Sequence, residues 1–230
     1  MTEQQPAAAP LRVWDLPLRI VHWAMVALLI VLVATAKLGG GAMDWHVRSG
    51  EAMLTLVLFR ILWGFAGSHH ARFSTFVRGP GAVIAYARSL LRPRHARFAG
   101  HNPLGGWMVV LLLVALFVQA SAGLFANDDI ATEGPLARFI SKDLSDAIST
   151  FHSRNAWFVV ALATAHIAAT LFYLIWFKEN LIRPMIDGVK QVPHAMTDPA
   201  GGDASSIRAL ALFVLCVLAV WLLVTRRWGL

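Results

Sequence analysis

Residues 151–177 read FHSRNAWFVVALATAHIAATLFYLIWF. The run is apolar over most of its length, enough to cross a hydrocarbon core of about 30 Å as a helix. Two histidines interrupt it, His152 near its start and His166 deep inside. At about 3.6 residues per turn their spacing leaves the side chains roughly 40° apart around the axis and roughly 21 Å apart along it. The angular gap closes in a left-handed bundle, where the period falls to about 3.5. Ala156, Val159, Val160 and Ala163 lie between them. That stripe is thin, as if something bulky and flat filled the space at each end. An ionisable residue inside a membrane marks a functional site by default.

The rest of the composition agrees with a membrane protein. The 230 residues are 57% hydrophobic and only 14% charged, too few charges for the surface of a soluble domain of this length. The net charge of +7 is read as basic cytoplasmic loops rather than as a nucleic-acid interface. The single cysteine, Cys216, rules out an intramolecular disulfide and a zinc–cysteine site. The lack of a CxxCH motif rules out covalent haem attachment. Residues 1–15 contain no apolar core of a cleavable signal peptide, so the first span is expected to serve as the targeting signal.

Taken in order, residues 1–10 read as a disordered tail, and residues 11–190 as a core of four membrane helices. The first span covers 18–38, beginning after Pro17 and ending at Gly39, with His22 about one turn inside. The second runs over about 46–66, with His46 at its entrance, Gly50 one turn later and Arg60 about two-thirds of the way across. Residues 67–103 carry six arginines and no acid. Within them, GPGAVIAYARSLL reads as a short amphipathic helix in the interface, with Pro80 in its first turn. The third span covers about 104–126, entered through HNPLGGW. Residues 127–150 carry five acids against two bases, and Asp143 or Ser145 is expected to cap the fourth span. A linker over 191–206 leads to a fifth apolar helix and short tail, 207–230.

Loop charge sets the orientation. The arginine-rich loop belongs in the cytoplasm, as do the N-terminal tail and the basic segment after span four, and the acidic loop faces the periplasm. Arg226 and Arg227 at the far end of a fifth span disagree, but two terminal charges weigh less than six in one loop. In this topology His22 and His166 fall at one depth near the cytoplasmic face, and His46 and His152 at one depth near the periplasmic face. Four histidines thus make two level pairs, the arrangement that axial ligation of two haems calls for. In each, one ring nitrogen faces iron and the other donates its N–H, which fixes the ring. Ligation of both axial positions suits electron transfer rather than oxygen binding.

The bland alternatives are interfacial histidines, or interhelical hydrogen bonds in place of ligands. Arg60 either pairs with a haem propionate or snorkels to the cytoplasmic interface. Gln119 and Gly123 read as helix-packing residues. His69, His70, His95 and His194 read as solvated, and the boundary tryptophans as an aromatic belt.

The runs VWDLPLRIVHW, HVRSG, LFRILWGFAGSHHARFSTFVRGP and HNPLGGW, with the two-histidine fourth span, resemble the bacterial cytochrome b561 family. That family is similar to the cytochrome b subunit of nickel–iron hydrogenase and the gamma subunit of formate dehydrogenase. The resemblance implies an all-α four-helix bundle holding two haem b groups across the inner membrane, ligated by His22, His166, His46 and His152. It also implies a quinone by the cytoplasmic haem at Asn102 and Gly105, with His101 as proton carrier. The fifth span departs from the four-helix pattern.

The function expected is a di-haem b-type cytochrome in the bacterial inner membrane, N-terminus cytoplasmic. It would pass electrons between a periplasmic donor and the quinone pool. The donor is a redox protein, such as a cytochrome c or an oxidoreductase, or superoxide; the acidic loop favours a protein partner. The rival readings are a small transporter using membrane histidines without haem, and a plain membrane anchor.

Overall fold

The structure is a computed structural model that describes residues 8–91, 96–193 and 204–225. His95, His194, Arg226, Arg227 and most of the expected tail and linker lie outside the described residues.

The chain is an all-α membrane protein, and among the described residues five helices are long and apolar enough to span a bilayer. They are α1 (Leu16–Leu38), α2 (Met43–Ala66), α5 (Pro103–Gly123), α6 (Lys142–Trp176) and α8 (Ser206–Thr225). Three short helices fall between them: α3 (Phe73–Phe76), α4 (Pro80–Ser89) and α7 (Arg183–Asp187). Large apolar side chains such as Ile30, Ile175 and Leu215 stand exposed along the spans, the surface a lipid phase covers. The short helix read from the sequence is present as α4, and Pro80 sits in its first turn, where a missing N–H costs nothing.

Two compact units divide the chain. The first contains residues 1–20, 62–110 and 166–209. Here strands β1 (Ala8–Arg12) and β2 (Val189–Pro193) pair antiparallel, with Ala8 opposite Pro193 and Arg12 opposite Val189. Residues 8–10 and 191–193 therefore belong to a ladder rather than to a tail and a linker. Their short, proline-bearing sequences hide a pairing that only the distant partner creates. Gly188 makes the corner before β2: its φ is +85°, and its carbonyl accepts the N–H groups of Val13 and Trp14 at 2.9 and 3.2 Å. Asp15 caps α1. Its Oδ1 accepts the Leu18 N–H at 2.8 Å and its Oδ2 accepts the Trp63 indole N–H at 3.0 Å, tying α1 to α2. Asp15 and Trp63 are both buried.

The second unit contains residues 21–61, 111–165 and 210–230. Its apolar core joins Leu54, Leu124, Leu136 and Val220, with Leu58, Ala120, Phe125 and Val224 packed against them. The fifth helix is thus fastened to α2 and to the end of α5. The Phe59 and Phe213 rings meet edge to face at 6.0 Å. In the first unit, Arg208 at the start of α8 donates to the Ala66 carbonyl at 3.1 Å, one of the carbonyls a helix end leaves over.

The fourth spanning helix begins earlier than the apolar run suggests. It starts at Lys142, and the Ser141 hydroxyl accepts the Leu144 N–H at 3.3 Å, so neither Asp143 nor Ser145 is its cap. Ser145 is buried instead and donates to the Phe125 carbonyl at 2.7 Å. In the preceding loop, Asp128 Oδ1 accepts the N–H groups of Ile130, Ala131 and Thr132 at 3.0, 2.9 and 2.8 Å. Those bonds, chiefly to Thr132, hold its carboxyl well below the usual range.

Candidate haem site

The second unit brings two of the four singled-out histidines together. His46 lies in the first turn of α2, and His152 in α6. Their ring centres are 6.2 Å apart with the planes 84° to one another. Nδ1 of His46 stands 3.0 Å from the Leu32 carbonyl and 3.2 Å from Thr35 Oγ1. The Thr35 hydroxyl donates to Val31, so its oxygen is placed to accept from the ring. Nδ1 of His152 stands 3.0 Å from the Gln119 carbonyl. Each ring therefore spends its Nδ1–H on a helix carbonyl, which leaves Nε2 as the basic nitrogen. That is the tautomer a metal ligand needs.

Two imidazoles facing one metal, each with a metal–nitrogen bond of about 2 Å, have ring centres roughly 6 Å apart. The observed spacing fits a single iron between His46 and His152. A Cβ added at Gly50, one turn beyond His46, would meet nothing within 4 Å, as the edge of a broad cofactor requires. Two neighbours of His152 escaped the sequence reading. The Gln119 amide nitrogen lies 3.2 Å from His152 Nε2, and its Oε1 accepts from Asn155 at 2.9 Å. A Cβ at Gly123 would come within 3.0 Å of His152 Cε1. Both read from the sequence as packing residues; Gln119 touches the imidazole, and the missing side chain of Gly123 leaves room for it. The only signal in the sequence was that Gln119 is a polar residue in a span without charge. An iron on Nε2 requires the Gln119 amide to turn aside, while the Gln119 carbonyl keeps its bond to Nδ1.

The other pair is spread over the two units. His22 is in the second, its ring perpendicular to that of Trp23 with centres 5.2 Å apart. His166 is in the first, half-buried in α6. Arg60 is buried in α2. No group of three or more His, Cys, Asp or Glu that could hold a metal ion occurs among the described residues.

In the first unit, Asn102 is the N-cap of α5: its Oδ1 accepts the Gly105 N–H at 2.8 Å, with Pro103 in the first helical position. His101 is held between the rings of Trp14 and Phe76, each centre 4.6 Å away. Asn102 Nδ2 donates to the Tyr173 hydroxyl at 3.2 Å, and Tyr173 in turn meets Tyr86. The sequence reading singled out neither tyrosine.

A family model described as prokaryotic cytochrome b561 matches residues 13–188. The chain belongs to that family. This cytochrome is similar to proteins named probable Ni/Fe-hydrogenase B-type cytochrome subunit. That of Bradyrhizobium diazoefficiens is 26% identical over 78% of this chain and 85% of the relative. Those of Azotobacter vinelandii and Cupriavidus necator are each 24% identical, over 76% and 77% of this chain and 86% of each relative. No solved structure matches. Family membership and the five apolar helices make the chain a multi-pass membrane cytochrome of b type, concerned with electron transfer through haem b.

Proposed function

We propose that this cytochrome holds two haem b groups, one between His46 and His152 and one between His22 and His166. On this reading it passes electrons across the bacterial inner membrane between a periplasmic redox partner and the quinone pool. The observation that carries the reading is the His46–His152 pair, with its spacing and its two Nδ1–H groups already committed to carbonyls. When bound, a haem with both axial positions filled exchanges single electrons rather than binding dioxygen. The chain's own part is to orient the imidazoles, through Leu32, Thr35 and Gln119, and to bury the guanidinium of Arg60 where a propionate charge needs an opposite one.

Quinone is assigned to the first unit at Asn102 and Gly105, beside His101. The relatives' names point to a hydrogenase-type oxidoreductase as the partner. The acidic loop between α5 and α6, with Asp128, Asp129 and Glu133, favours such a protein over superoxide, which it would repel. Loop charge favours a periplasmic side for that loop and a cytoplasmic side for the N-terminus.

The experiment adds a short-tailed quinol to the oxidised, purified protein and follows the haem b absorbance. Reduction of the haem is expected, slowed in Asn102→Leu at unchanged haem content. An oxidised spectrum indifferent to quinol defeats the proposal.

A further inference from the structure

The chain contains two tyrosines, and the fold brings them together. Tyr86 from α4 and Tyr173 from α6 meet hydroxyl to hydroxyl at 2.7 Å, both buried. Asn102 donates into this pair at 3.2 Å. On the other side lie Glu179 and Lys190, an ion pair at 2.7 Å with each side chain only 12% exposed. Lys190 also donates to the Phe98 carbonyl at 2.8 Å, and the Phe98 ring stands edge-on to Tyr86 with centres 5.4 Å apart. Glu179 is tied to the tyrosines' end of α6 by its own N–H, which donates to the Tyr173 carbonyl at 3.0 Å. Glu179 and Lys190 line a cleft of about 440 Å³, with Arg97, Lys178 and Arg183 on its other walls.

All of these residues belong to the first unit. Asn102, Tyr173 and Tyr86 form a hydrogen-bonded chain at the cap of α5, and the Glu179–Lys190 pair lines the cleft near it. We propose that Tyr86 and Tyr173 are a proton relay linking the Glu179–Lys190 pair at the cleft to a quinone carbonyl oxygen at Asn102. The inference rests on the quinone reading above.

Burial, the bond to Tyr173 and the charge of Glu179 all push the Tyr86 hydroxyl above its ordinary value. It therefore does not release a proton to become an anion. It passes a proton on only while receiving another, which is what a hydroxyl that both donates and accepts is built to do. In quinone reduction, the two carbonyl oxygens each gain a proton as the ring gains two electrons through the haem b of the cytochrome. One proton leaves Tyr173 for the nearer oxygen, Tyr86 restores it, and the Glu179–Lys190 pair restores Tyr86 from the water of the cleft. The relay carries this one proton, the far oxygen taking its own from the opposite side of the ring, and quinol oxidation runs it backwards.

The test uses the full-length, haem-loaded protein carrying ring-labelled tyrosine, with a short-tailed benzoquinone as probe. Binding of the quinone, its reduction rate and the infrared difference spectrum between its two redox states are measured for wild type, Tyr86→Phe and Glu179→Gln. Tyr86→Phe retains the ring against Phe98. Label-sensitive tyrosine bands are expected in wild type. In both variants quinone affinity is expected to be unchanged and the rate to fall by on the order of 10²-fold, the scale of a lost proton-transfer group. Wild-type rates in both variants, or a wild-type spectrum without tyrosine bands, overturn the relay while leaving the quinone site standing. Failure of wild type to bind the quinone overturns the site and the relay with it.

Discussion

His46 and His152 stand with ring centres 6.2 Å apart and planes 84° to one another, each fastened by Nδ1 to a carbonyl of a neighbouring spanning helix. The fastening matters as much as the spacing, because it decides which nitrogen each ring keeps for a metal. It also makes the site sensitive to small changes on α5.

Gly123→Ala tests that sensitivity. The new methyl group would lie 3.0 Å from His152 Cε1, and the ring must give way. Haem affinity is expected to fall roughly tenfold, the effect typical of losing an orienting contact, read by haem titration of the purified variant.

Gln119→Leu should behave differently. The bond that orients His152 comes from the Gln119 main chain, and the side-chain amide occupies the nitrogen that iron would take. Haem content equal to wild type is expected. Loss of haem would mean that the amide, rather than the carbonyl, positions the ring.

How far the sequence reaches is plain from such particulars. The five spans could be read from apolar runs of sufficient length. The common depth of His46 and His152 could be read from helix rise and loop charge, since both follow from local sequence. The partners of those rings could not. Gln119 differs from an ordinary packing glutamine only through His152, 33 residues away. Similarly, β1 exists only because β2 lies beside it, and Tyr86 finds Tyr173 across 87 residues. The place of α8 was illegible for the same reason, because a helix apolar on every side beyond Arg208 carries no stripe that says which neighbour Val220 will meet.

Asp15→Ala removes both the cap of α1 and the acceptor of the buried Trp63 indole. A loss of about 2 kcal/mol is expected from a missing cap and an unsatisfied buried donor together. Thermal unfolding in detergent measures it, and an unchanged Tm would show that Asp15 holds nothing in place.

The Asp128 loop supplies a pH dependence. Its carboxyl is depressed by the N–H groups it accepts, so the folded loop binds its proton less readily than the unfolded one. The stabilisation is complete above the carboxyl's ordinary value of 3.8 and is lost as pH falls from there through the lowered folded-state value. Hydrogen-exchange protection at Ile130, Ala131 and Thr132 should hold from neutral pH down to about 4 and decline below it. In Asp128→Ala it should be absent throughout, and protection in that variant equal to wild type would contradict the role.

The most direct test of the central claim is the haem b content per chain, determined by pyridine haemochrome on purified wild type and on His152→Ala. Two haems in wild type and one in the variant are expected. Fewer than two in wild type, or two in a variant that has lost His152, would contradict the assignment.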